Sequence, residues 1–218
     1  MCFSAGASFG ASSLLAGIGI VAIVKAKTTP QRLFAAIPLL FSVQQFAEGM
    51  LWLSLKNTSL QAWQPFFTYT FLVFAIMVWP VWIPFTIRLL EIDKRKKKIM
   101  NVLLGTGAVV SLGVGCILLL YPVQVIPAHH HLHYIVDFPP ATKNLIGLFT
   151  LLYITTTIIT PFVSGIKGMK WLGFIFLVSY LFAIIFYSGF VVSVWCYFAA
   201  ILSIVVLRII LGLQKAVS

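Results

Sequence analysis

The sequence predicts an all-α fold: one domain over residues 1–218, a bundle of seven transmembrane helices with the N-terminus outside the cytoplasm and the C-terminus inside. Three observations predict it. Hydrophobic residues make up 61% of the chain and charged residues 9%, and the mean hydropathy of +1.07 lies beyond what a soluble domain of this length carries. The apolar residues fall into seven stretches of about 20, the length an α-helix rising 1.5 Å per residue needs to cross a hydrocarbon core of roughly 30 Å. The basic residues lie between those stretches, with a strong bias to one side.

The spans run over about 4–24, 33–55, 64–87, 100–120, 144–164, 171–188 and 191–213. The first follows Met-Cys-Phe-Ser-Ala with no basic residue before it, so it reads as a membrane helix rather than a cleaved signal. Cys2 precedes the apolar stretch, which argues against lipoprotein processing. In the third span Pro80 and Pro84, and in the fifth Pro161, kink or end the helix and free carbonyls that neighbouring helices must satisfy. Only Ser188-Gly189-Phe190 joins the sixth and seventh spans, so six spans with a re-entrant hairpin is the alternative there.

Lys and Arg set the orientation. Thirteen fall on one side: Lys25, Lys27 and Arg32, then Arg88 and Lys94 to Lys98, then Lys167 and Lys170, then Arg208 and Lys215. Lys56 and Lys143 alone fall on the other, and the positive-inside rule places the thirteen in the cytoplasm of a prokaryotic inner membrane. The net charge of +11 reads as topogenic, with a site for anionic lipid headgroups or a cytosolic partner as the alternative for Lys94 to Lys98, and no nucleic acid partner is expected, because such binders spread basic residues along a soluble face. The partners expected are membrane lipids and a small amphiphilic ligand.

Glu48 is the one acidic residue inside a span, which makes it a candidate functional residue. Gln44, Glu48 and Trp52 recur every four residues and Gln45 stands three before Glu48, so one helix face carries two amides, a carboxyl and an indole. The competing reading is a glutamate that only fixes helix packing.

The outer half of the membrane also collects Cys2, Cys116, Cys196 and the histidines His129, His130, His131 and His133 in the connection after span four. Thiolate, imidazole and carboxylate are the ligand set for a transition metal such as zinc, so Cys2, Glu48, His131, His133 and Cys196 are candidate metal ligands. Glu48 and Cys2 are also candidate catalytic groups, and Gln44, Gln45 and Trp52 candidate binding residues. Cys116, on a Gly-rich helix, reads as core packing.

Several stretches together resemble an uncharacterised family of small prokaryotic polytopic membrane proteins that begin Met-Cys-aromatic-Ser-Ala. They are Met1-Cys2-Phe3-Ser4-Ala5, Gln44-Gln45-Phe46-Ala47-Glu48-Gly49-Met50-Leu51-Trp52, Pro80-Val81-Trp82-Ile83-Pro84 and Val194-Trp195-Cys196-Tyr197-Phe198-Ala199-Ala200. In that family a His-Gln pair often precedes the glutamate, whereas this chain has Gln44 in the histidine's place. The resemblance implies a common fold and a candidate site, and supplies no reaction. Three function classes follow: a metal-dependent enzyme acting on a lipid or small amphiphile in an outward-facing polar cavity, a ligand-binding receptor, and a transporter with Glu48 as a proton or cation site.

Overall fold

The computed structural model describes residues 4–128, 131–187, 191 and 198–215. Helix α1 (Ala5–Lys25) starts at Ser4, whose hydroxyl accepts from the Ala7 amide at 3.2 Å. Next come α2 (Thr29–Ala35) and α3 (Ile37–Lys56), which read as one rod broken at Ala36, where Pro38 opens α3. The third rod is composite: a 3₁₀ turn, α4 (Gln64–Leu72), a π-helical segment Val73–Val78 and α5 (Trp79–Leu90). Helix α6 runs over Lys94–Leu120. Helix α7 (Lys143–Ile154) passes through a second π segment, Thr155–Ile159, into α8 (Thr160–Val163). Helices α9 (Met169–Phe186) and α10 (Ala199–Lys215) complete the described chain.

Six of these rods are long and apolar enough to cross a membrane, and the last is shorter within the described residues. Apolar side chains turn outward along them, Leu112 at 70% and Leu119 at 89% exposure on α6 for example, as a lipid solvent allows. The main core lies toward the basic end, where Leu15, Phe34, Ile83, Met100, Leu172 and Val206 bring six helices together. Helices α1 and α3 are held by reciprocal bonds: Ser12 Oγ donates to the Ser42 carbonyl at 2.9 Å and Ser42 Oγ to the Ser12 carbonyl at 2.8 Å.

Both π segments end just before a proline, Pro80 and Pro161, whose missing N–H breaks the helical ladder. The expected neighbours satisfy the freed carbonyls. Tyr153 Oη donates to the Ala75 carbonyl at 2.8 Å and Ser111 Oγ to that of Met77 at 2.5 Å. Pro84 likewise leaves the Pro80 carbonyl without its helical donor, and that oxygen meets Gly107 of α6, where a Cβ would stand 1.9 Å away. The glycine hydrogen that replaces Cβ there makes a C–H···O contact between the helices.

Three features differ from the sequence expectation. Helix α6 begins six residues before the expected span, because Asp93 caps it: its Oδ1 accepts from Arg95 N at 2.7 Å and Lys96 N at 3.3 Å. The connection after α6 is an antiparallel hairpin, β1 (Val123–Ala128) and β2 (His131–Val136), in register Val123↔Val136 to Ala128↔His131. Cys116 is an exposed free thiol rather than core, because the small residues beside it take the packing: Gly113 lies against the Phe149 ring and Gly115 against the Met77 methyl.

Candidate functional site

The Gln44–Trp52 face of α3 is buried throughout: Gln44, Gln45, Glu48 and Trp52 are each at most 4% exposed. It divides into two environments. Gln44 turns toward the third rod, where its Oε1 accepts from Trp79 Nε1 at 2.9 Å, and Trp79 stacks on Phe41 with centroids 4.0 Å apart. Gln45 turns to its own helix and donates through Nε2 to Glu48 Oε2 at 3.2 Å, while its Oε1 and the Trp52 indole N–H have no hydrogen-bond partner among the described residues.

The hairpin covers the C-terminal end of this face. Leu132 and Val125 pack on Leu51 and Trp52, and Tyr134 stacks on Phe71 of α4 with centroids 5.2 Å apart and planes at 8°. His131 is buried and meets Tyr187 edge-on at 5.2 Å, and His133 follows two residues along the same strand. Lys56 places its ammonium 5.6 Å over the Trp52 ring.

A cavity of about 420 Å³ lies beside the Gln44 half, within the size range of small-molecule sites. Its wall is almost wholly apolar: Leu72, Ala75 and Ile76 from the third rod, Val110, Val114 and Ile117 from α6, and Phe176 and Ile184 from α9. The lining residues that carry polar groups are Gln44, Tyr134, Thr150, Tyr153, Thr157 and Tyr180. Helix α7 forms one wall through Ile146, Phe149, Thr150 and Tyr153, yet no α7 side chain is buried, so this wall is thin.

Of the residues expected to line a polar cavity, this space takes up one. Gln44 lines the space, whereas Gln45 and Glu48 do not, because their side chains bond to one another along α3. The expected ligands Cys2 and Cys196 lie outside the described residues, as do His129 and His130. Among the described residues no three His, Cys, Asp or Glu side chains gather where they could hold a metal ion. The described geometry therefore lends the metal set Glu48, His131 and His133 no support.

Two groups escaped the sequence reading. Trp79 and Tyr153 shape the cavity, and their only advance signal is the adjoining Pro80 and the Thr-rich run before Pro161. Glu91, which lies in the basic stretch after the third rod, is a buried clasp. Its Oε2 accepts from Gly165 N at 2.7 Å and Ser164 Oγ at 3.0 Å, and its Oε1 from Ile92 N at 3.1 Å and Asp93 N at 3.3 Å. Burial pushes this carboxyl up, but the amides of Gly165 and Asp93, the Ser164 hydroxyl and the Ile92 amide together outweigh it and hold it below its ordinary value.

Residues 1–217 match the model of a family of unknown function, DUF6629, and the chain belongs to that family. No curated protein and no solved structure matches the chain.

Proposed function

We propose that this chain is a seven-span protein of the prokaryotic inner membrane, N-terminus outside and C-terminus inside. In this reading it takes an amphiphile with a long apolar body from the bilayer into the cavity behind α7. The observation that carries the reading is the cavity itself, about 420 Å³ of apolar-walled space closed on one side by a helix with no buried side chain. Orientation is supported by the thirteen basic residues on the end opposite the hairpin.

Hydrophobicity alone does not drive an apolar body from lipid into such a space, since lipid tails are as apolar as its walls. An empty cavity does forfeit dispersion contacts on every lining side chain, which favours filling it. Selection falls to shape and to the few polar groups. Thr157 Oγ1 spends its proton on the Tyr153 carbonyl, so towards a ligand its oxygen acts as an acceptor for a hydroxyl or amide. The ligand's polar end lies in this reading toward Gln44, one helical turn from Glu48.

Native mass spectrometry of protein released from mild detergent tests this. Wild type should carry one amphiphile of constant mass, and Ala75→Phe, which places a ring in the cavity, should lose it while keeping the same helical circular dichroism. Wild type that flies without adduct, or an adduct unchanged in Ala75→Phe, contradicts the reading.

A further inference from the structure

At the basic end, α6 opens with Lys94, Arg95, Lys96, Lys97 and Lys98, and its first turn holds no acidic residue. This is the wrong sign for its position. The N-terminus of a helix is the positive end of its dipole, so cations there are unfavourable, and Lys94 and Lys98 form a like-charge i,i+4 pair that adds to the cost.

The two acidic residues nearby relieve it only in part, since the capping Asp93 attracts Lys96 and Arg95 but sets one carboxylate against five cations. Both Glu91 oxygens are occupied by the donors of residues 92, 93, 164 and 165, and Asp93 spends Oδ1 on the amides that cap α6. The Glu91 clasp also joins this turn to the connection between α8 and α9, which adds the exposed Lys167 and Lys170 to the same surface. Lys96 lies over that junction, where a Cβ on Gly165 would stand 2.6 Å from its Nζ.

Two apolar side chains project from among these cations, Ile92 at 88% and Trp171 at 67% exposure. Cations held on rigid turns with an indole and a branched alkyl group between them match the boundary between headgroups and acyl chains. A soluble acidic partner would have no use for apolar groups at that depth. We propose that this end of the molecule binds the headgroups of anionic phospholipids in its own leaflet, and that those headgroups supply the negative charge the first turn of α6 lacks.

The test is thermal unfolding in a neutral detergent with added phosphatidylglycerol or phosphatidylcholine, for wild type, for Lys94→Gln/Arg95→Gln/Lys98→Gln and for Lys167→Gln/Lys170→Gln. Phosphatidylglycerol should raise the wild-type melting temperature by about 5 °C over phosphatidylcholine, and high salt should erase the difference. The triple variant should melt above wild type without anionic lipid, because the repulsion is gone, and should lose the lipid response. The double variant should keep part of that response. Equal melting in the two lipids, a triple variant that responds like wild type, or full reproduction of the effect by soluble pyrophosphate overturns the proposal. The last outcome would assign the surface to a free anion.

Discussion

Replacing Glu91 with Ala should destabilise the basic end more than any other single charge removal. The carboxylate receives four hydrogen bonds, two of them from residues more than 70 positions away. Net values of about 1.5–3 kcal/mol for a bond to a charged group would sum far higher, but the sum does not apply. Residues 92, 93 and 165 are exposed, so their amides find water when the acceptor goes; only Ser164 is buried. The expected loss is therefore about 2–3 kcal/mol for Glu91→Ala and about half that for Glu91→Gln, which keeps one carbonyl acceptor. Denaturant unfolding in detergent reads the total, and hydrogen exchange over residues 163–170 reads the locality, with Gly165 losing protection first. The sign with pH follows from the lowered carboxyl. Its contribution is complete above its unfolded value near 4.5 and is lost as pH falls through the lower native value. Loss below about 0.5 kcal/mol in Glu91→Ala, well under the value of one such bond, together with unchanged exchange at Gly165, would refute the clasp.

Gly107→Ala should cost about 1–3 kcal/mol or prevent folding, since its methyl would meet the Pro80 carbonyl at 1.9 Å; a melting scan against the neighbouring Gly105→Ala, which meets nothing within 4 Å, isolates the clash. Tyr153→Phe removes the donor to the Ala75 carbonyl and should lower stability by about 0.5–1.5 kcal/mol, read by the same scan, and should speed exchange of the bound amphiphile by loosening α7. Gly168→Ala should cost about 1–2 kcal/mol in unfolding experiments, because φ of 93° lies in the left-handed region and its Cβ would press on Ile209.

The helices were legible because their apolar lengths match a bilayer, which a window of about 20 residues detects without tertiary knowledge. Lys94 to Lys98 fell outside that window because charge hides a helix whose start is set by the Asp93 cap. The hairpin was missed for a different reason. Val123-Gln124-Val125 and Tyr134-Ile135-Val136 are runs rich in β-branched and aromatic residues around a short connection, a strand signal interrupted by the four histidines. At the site, burial of the Gln44–Glu48 stripe followed from the cost of polar groups in lipid. Its division did not, because Gln44 answers to Trp79, 35 residues away on another rod. The same distance problem hid Glu91, whose decisive donors belong to residues 164 and 165.

The central claim, that an amphiphile from the bilayer enters the cavity, is tested most directly through Trp79, which lines that space at 5% exposure. A variant keeping Trp79 as its sole tryptophan, the others replaced by Phe, would be reconstituted in vesicles containing amphiphiles brominated along the acyl chain. Bulk lipid does not reach a buried indole, so the account predicts Trp79 fluorescence quenched by the brominated chain and restored by Ala75→Phe. Emission indifferent to bromination, in a protein whose lipid-facing Trp171 is quenched when it is the sole tryptophan, would contradict it.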